Sequence, residues 1–300
     1  MFKPTPRVRT LPFDLSKKLA EYGDAKTLLA RMSQMMPGGV AWGLSSLGSS
    51  FFIEYVEQQI YFLHEKYGAF DGGNKGSDDF IKQELMHSGY HRCLNKIFEP
   101  NYVKTEFGPP RVNSLIHPHL AAAELDYRKL ALGSEQEKAE ALMRMEFKAA
   151  AFETGFGVFN ALSNCQLIEA HFNEIVDVCP PLLYLWAYHF AEELEHIHLP
   201  LLAFEEKYQA VSPDQASHFA MEIEWLVNLW RGIGIHLGLR YGIQIEYKDF
   251  LEEPTVLGMR RLQQEVGNDF KRDKISEMRK HYVELFDKKW EPLLLKAVQA

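Results

Sequence analysis

The sequence has few cysteines and no long hydrophobic or basic run. Its three cysteines, Cys93, Cys165 and Cys179, are odd in number and lack metal-ligand spacing, which indicates a reducing, cytoplasmic environment. No apolar run reaches about 18 residues, so we expect no transmembrane helix. The opening MFKPTPRVRTLPFDL has no apolar signal region, so we expect no signal peptide. The net charge of −8, without a Lys/Arg block, argues against nucleic acid and membranes as partners.

Alternation of polar and apolar residues is almost absent, which predicts an all-α fold. Capping residues, glycines and prolines predict helices over about 16–34, 42–67, 77–98, 134–165 and 180–208, the last with a kink at Pro200. Ser134 and Glu137 have the spacing of a capping box. We therefore expect a lead-in over 1–40, a four-helix bundle over 41–210, and packing helices of the same domain over 211–300.

The clearest chemical signal is the pairing of glutamates with histidines at helical spacing. Glu-x-x-His puts a carboxylate and an imidazole one turn apart, where both reach one metal ion. Such pairs occur at Glu84/His87, Glu193/His196 and Glu195/His198. His189 precedes Glu193 by four residues, so His189, Glu193 and His196 fall within about 60° on one helix face. The pair Glu195/His198 lies about 160° away, so we expect it, like Glu192, to be an outer partner or solvated.

Other predicted helices carry isolated acids in apolar surroundings, where a charge needs a partner. Glu153 lies in an alanine-rich segment, and Glu54 follows Phe-Phe-Ile on the first long helix. Glu57, one turn beyond Glu54, is an alternative ligand, and the sequence leaves the choice open. His91, one turn after His87, is either a hydrogen-bonded partner of a ligand or an extra ligand.

Together these residues predict a metal centre. The predicted ligands are Glu54, Glu84, His87, Glu153, His189, Glu193 and His196. On successive helices the pattern is Glu, Glu-x-x-His, Glu and His-x3-Glu-x2-His. This is the ligand order of a four-helix bundle with a carboxylate-bridged two-metal centre. Four carboxylates offset two divalent cations, and mixed carboxylate and imidazole ligands suit iron or manganese.

Several segments resemble known ferritin-like di-metal proteins. The matching segments are the Arg7-Val-Arg lead-in up to Phe13, the helix over 80–95, the segment around Glu153, and residues 186–208. They resemble the bacterial family labelled predicted metal-dependent hydrolase, over roughly residues 5–210. His189 is similar to the third imidazole of p-aminobenzoate N-oxygenases, which joins four glutamates at a di-iron site. One departure is that Gly48 is followed by Ser49 and Ser50, where the hydrolase-labelled family has Gly-Glu before its Phe-Phe. Glu54 is preferred over Glu57 partly because it lies 30 residues before Glu84.

These observations lead to a functional hypothesis with two alternatives. We expect a cytoplasmic, non-haem di-iron enzyme that uses O2 and an electron donor to hydroxylate, desaturate or N-oxygenate a small organic substrate. Two iron ions are expected, with manganese or a mixed iron and manganese pair as variants. The alternatives are a hydrolase that uses a water bound to Zn, Mn or Fe, and a non-catalytic ferritin-like iron-binding protein. A homodimer is compatible with the sequence.

Overall fold

The structure is a computed structural model. It describes residues 6–35, 39–71, 77–100, 106, 108, 121–196, 198–209, 228–266 and 273–300. Every regular element in these ranges is helical, which confirms the predicted all-α class. None of the described helices is both long enough and apolar enough to cross a membrane.

The helices are labelled in chain order. They are α1 (Leu15–Glu21), α2 (Ala25–Met32), α3 (Gly39–Tyr67), α4 (Ser77–Phe98), α5 (Ala121–Leu132), α6 (Glu135–Ala151), α7 (Val158–Ile175), α8 (Pro180–His196), α9 (Leu199–Tyr208), α10 (228–240), α11 (Pro254–Val266), α12 (Asp273–Leu285) and α13 (Glu291–Gln299). Phe152–Gly157 and Phe286–Trp290 are π-helical, and Tyr247–Phe250 is a 3-10 helix.

Two helix pairs form the central bundle. The long α3 packs along α4, and α7 packs along α8, with further contacts between α4 and α8 and between α3 and α6. All 17 residues of α8 are buried because α12 and α13 cover the side of α8 that the bundle leaves open. Helices α3 and α10 approach closely, since a Cβ on Gly48 would lie 2.5 Å from the Trp230 carbonyl oxygen.

Most predicted helix boundaries agree with the structure. Helix α4 begins at Ser77 and ends at Phe98, and Ser134 forms the predicted capping box with Glu137. The predicted helix over 16–34 is instead two helices, because Gly23 adopts φ +124° and the Asp24 side chain accepts a hydrogen bond from the Thr27 amide to start α2.

The predicted helix over 180–208 is also interrupted. Helix α8 ends at His196 and α9 begins at Leu199, so Pro200 lies in a first turn, where its missing N–H is tolerated, rather than at a kink. The predicted helix start at Ser212-Pro213 and the extended connection around Pro109-Pro110 and Pro118 lie outside the described residues.

A π-helical segment joins α6 to α7. It spans Phe152–Gly157, and Glu153 lies in its first turn with its side chain buried. The sequence predicts one uninterrupted helix over 134–165. The π turn interrupts it, because such a turn has no simple periodic signal, and α7 continues ten residues further, to Ile175. Such π segments recur at functional sites, since the extra residue rotates the side chains that follow it.

Candidate metal centre

The described residues place seven buried side chains in two adjoining groups. One group is Glu57, His87, His189 and Glu193; the other is Glu84, Glu153, Glu193 and His196. Within each group the ligand atoms lie within 4.8 Å of one another. Glu193 belongs to both groups, so a single carboxylate lies between two places where a metal ion could bind.

Distances show how Glu193 is shared. Its Oε1 lies 3.3 Å from His189 Nε2 and 3.5 Å from His87 Nδ1, whereas its Oε2 lies 3.5 Å from His196 Nε2. On the far side of the second group, His196 Nε2 lies 2.9 Å from Glu84 Oε1. One Glu193 oxygen therefore faces each group, which is the arrangement of a bridging carboxylate.

Several atoms in these groups are buried without a hydrogen-bond partner. They are Glu57 Oε2, both carboxylate oxygens of Glu84, Glu153 Oε2, His87 Nδ1 and His196 Nε2. Buried polar atoms are normally satisfied, and each exception costs about 1–3 kcal/mol. Because these unpaired atoms belong to residues that converge on two points, the residues present fit metal ions as their missing partners.

Six of the seven predicted ligands are brought together, and Glu54 is the exception. Its Oε1 accepts a hydrogen bond from Arg92 Nε at 2.8 Å, and its Oε2 accepts one from Asn95 Nδ2 at 2.9 Å. The alternative residue, Glu57, lies in the first group, with its Oε1 3.6 Å from His87 Nδ1. The structure therefore places Glu57 where the sequence analysis preferred Glu54.

Outer hydrogen bonds orient two of the three imidazoles directly. His87 Nε2 donates a hydrogen bond to Glu192 Oε2 at 2.8 Å, so in the neutral ring Nδ1 keeps its lone pair. His196 Nδ1 donates to Gln83 Oε1 at 3.0 Å, so in the neutral ring, the form that binds a metal ion, the Nε2 lone pair faces the site. Metal-binding histidines characteristically donate their second N–H to such a partner.

The third imidazole, His189, is oriented by a longer chain of hydrogen bonds. Ser50 donates to Asn95 Oδ1 at 2.7 Å, so its oxygen accepts from His91 Nδ1 at 2.8 Å. His91 Nε2 then accepts from His189 Nδ1 at 3.1 Å, which leaves the lone pair of His189 Nε2 for the site. His91 thus lies outside both ligand groups and is placed as the hydrogen-bonded partner of a ligand.

Burial and close charges perturb the pKa values of the cluster. Burial raises the pKa of Glu57 and Glu153 well above the usual range, and that of Glu84 also rises. Burial acts to lower the pKa of His196, but Glu193 and Glu84 outweigh it and raise that pKa to about 10. Without metal the cluster therefore holds protons, which bound cations would displace.

A small cavity adjoins the first group. Its walls include Glu57, His189 and Glu193 together with the apolar side chains of Ile53, Phe152 and Phe190. A second cavity shares Asn160 and Phe190 with it and is lined mainly by polar side chains. Glu57, His189 and Glu193 of the first group therefore border a partly apolar space.

The placement of Glu54 and Glu57 gives a direct test by mutation. We expect Glu57→Gln to lose about one of two bound ions, because it removes a carboxylate from the first group. Glu54→Gln should retain both ions, since Glu54 is engaged by Arg92 and Asn95. Elemental analysis of both variants after loading and desalting measures the difference, and equal metal loss in the two would contradict the assignment.

Comparisons with known proteins leave the family open. No family model matches the sequence, and no curated protein and no solved structure matches it significantly. The similarity of its motifs to the hydrolase-labelled family and to p-aminobenzoate N-oxygenases therefore stays a prediction. Over its described residues the structure is helical in every regular element and has buried clusters of histidine and glutamate that could hold metal ions.

Proposed function

We propose that the protein is a non-haem di-iron oxygenase or oxidase that uses O2 to oxidise a small organic substrate within a ferritin-like helical bundle. The observation that carries the proposal is the sharing of Glu193 between two buried ligand groups. The seven side chains offer only carboxylate and imidazole donors, a set that suits iron or manganese better than metals that prefer thiolates.

The residues would divide the two ions between them. One ion would be held by Glu57, His87 and His189. The other ion would be held by Glu84, Glu153 and His196, and Glu193 would bind both ions. Bound iron supplies the redox chemistry by which O2 is reduced. The chain's own part is to hold the rings and carboxylates in position and to keep bulk water away, since all seven side chains are at least nine-tenths buried.

The wall of the cavity beside the first group supports oxidation over hydrolysis. Ile53, Phe152 and Phe190 present apolar surface next to Glu57 and His189, which suits a substrate with an apolar part better than a polar ester or phosphate. The cavity itself has a volume of about 10 Å³, room for about one water molecule, so a substrate would bind against this wall only after the cavity enlarges.

Anaerobic loading with Fe(II), followed by exposure to O2, tests the proposal. We expect about two irons per chain by elemental analysis, and O2 consumption with a change in visible absorbance that free Fe(II) under the same conditions does not reproduce. Glu193→Ala is the matched control and should show neither.

Three outcomes would contradict the proposal. Zinc or manganese bound without any reaction with O2 would favour the hydrolase. Retention of many irons per chain after oxidation would favour iron binding or storage. No metal binding at all would remove the metal centre itself.

A further inference from the structure

The chain segment that precedes α1 lies against the metal-site helices. Tyr188 on α8 donates to the Arg9 carbonyl oxygen at 3.0 Å, and Gln83 on α4 donates to the Arg7 carbonyl oxygen at 3.2 Å. Tyr90 on α4 accepts from the Leu11 amide at 3.0 Å. The segment is therefore fixed by its main chain to both helices that carry Glu-x-x-His pairs.

Arg9 extends from this segment into a group of acids. Its side chain is only 13% exposed, with Nη2 2.6 Å from Glu195 Oε1 and 3.1 Å from Asp287 Oδ1. Its Nη1 donates to Glu195 Oε2 at 3.0 Å and also lies 3.4 Å from Glu192 Oε1, and the main-chain amide of Arg9 donates to the same Glu192 oxygen at 3.2 Å. Glu192 is fully buried, so the charge that compensates its carboxylate from outside the metal cluster comes from Arg9.

The other oxygen of Glu192 leads to the metal cluster. Glu192 Oε2 lies 2.8 Å from His87 Nε2, and His87 Nδ1 faces Glu57 and Glu193 at 3.6 and 3.5 Å. A carboxylate behind a histidine ligand fixes the orientation of the ring and makes it a better donor. Arg9, Glu192 and His87 thus form a continuous series of contacts from the segment before α1 to the first ligand group.

We propose that Arg9 is a positioning residue of the metal centre, which holds Glu192 in place behind His87. The inference rests on the proposed di-metal site and adds a residue to it that touches no ligand. The main-chain amide and the guanidinium of Arg9 both contact Glu192 Oε1, and the guanidinium supplies the charge that compensates the carboxylate. Glu192 in turn fixes the ring of His87. The metal ion in the first group therefore depends on Arg9, whereas the ion at Glu84, Glu153 and His196 does not.

Arg7 provides a matched control on the same segment. Its side chain is 56% exposed and pairs with Glu195 and Asp287. Its substitution therefore removes contacts to the same acids, and loosens the same segment, while leaving the side chain of Arg9 against Glu192. A difference between Arg7 and Arg9 variants reports on Glu192 and His87 rather than on attachment of the segment.

Titration with Co(II) tests the inference, because the visible absorption of Co(II) reports the ligands around it. We expect two ions to bind to the wild-type protein and to Arg7→Gln with the same spectrum. Arg9→Gln should bind one ion normally and the other about 10- to 100-fold more weakly, with an altered spectrum. Arg9→Lys keeps the charge and should restore part of the affinity, which also covers the case in which Arg9→Gln does not fold.

The outcomes separate this inference from the proposed function. Absence of Co(II) binding by the wild-type protein would overturn the metal centre and the inference with it. Two ions in the wild-type protein, together with unchanged affinity and spectrum in both Arg9 variants, would overturn the inference alone. Equal weakening in the Arg7 and Arg9 variants would also overturn it, since attachment of the segment would then explain the loss.

Discussion

Glu193→Ala is expected to reduce the metal content from about two ions per chain to less than one. Glu193 has one carboxylate oxygen towards His87 and His189 and the other towards His196, so its loss removes a ligand from both groups. No other residue in the two clusters belongs to both. Elemental analysis after loading with Fe(II) under anaerobic conditions, followed by desalting, measures the effect.

Two single-histidine variants provide the comparison for Glu193→Ala. His87→Ala and His196→Ala each remove a ligand from one group, so each variant should retain about one ion. We therefore expect less than one bound ion per chain in Glu193→Ala and about one in each histidine variant. A carboxylate shared between the two groups predicts this difference. If Glu193→Ala retained one ion like the histidine variants, the two groups would not share this residue.

The helices could be predicted from sequence because their signals are local. A hydroxyl followed by acids starts α4, and the serine of a capping box starts α6, so both positions follow from neighbouring residues. The break between α8 and α9 could not be placed, because a proline is compatible with a kink as well as with a first turn. The π segment at Phe152–Gly157 packs against α8 and α9, so it depends on contacts that its own sequence does not show.

Candidate ligands that share one helix were the predictable part of the site. His189, Glu193 and His196 lie together because spacings of four and three residues bring side chains to one face. Glu153 could be predicted because an acid among alanines and phenylalanines needs a partner. Both features lie among neighbours in the chain, so they can be recognised without knowing how the helices pack.

The choice between Glu54 and Glu57 depends on packing between helices. Both are buried on α3 one turn apart, so helical spacing alone does not separate them. Helix α4 runs antiparallel to α3, which brings Glu57 level with His87 and Glu54 level with Arg92. The positive charge of Arg92 was the sequence signal that could have favoured Glu57 over Glu54. A buried acid opposite an arginine forms an ion pair and has no need of a metal ion.

Residues outside the ligand groups were the hardest to predict. Glu192 was expected to be an outer partner or solvated, and the structure places it behind His87. Arg9 gave no sequence signal for this role, because its contact with Glu192 spans 183 positions of the chain. Long-range contacts of this kind follow from the packed structure and not from local pattern.

A metal site without its metal ions lowers the stability of the fold, because its buried carboxylates then lack partners. We expect Glu153→Gln to stabilise the metal-free protein by about 1–4 kcal/mol. Burial, together with the charges of Glu193 and Glu84, raises the pKa of Glu153 well above its usual range. A raised carboxyl pKa means that stability is lost as the pH rises above the unfolded pKa, because the unfolded chain releases the proton first. The stabilisation of the metal-free protein by Glu153→Gln should therefore be absent near pH 4 and present at neutral pH.

In the metal-loaded protein the same substitution should lower the free energy of unfolding instead of raising it. Metal binding stabilises the folded protein by about 2.7 kcal/mol at a free metal concentration of 100 times Kd. Glu153→Gln removes a carboxylate that would bind the metal, and with it much of that stabilisation. Urea unfolding with and without Fe(II) under anaerobic conditions measures both states. Glu146→Gln is the matched control, because Glu146 is equally buried but pairs with Lys207 at 2.9 Å, so its loss should destabilise both states alike. A Glu153 variant that behaves like the Glu146 variant would mean that Glu153 is a structural acid, whereas a reversal of sign on adding metal is the behaviour of a ligand.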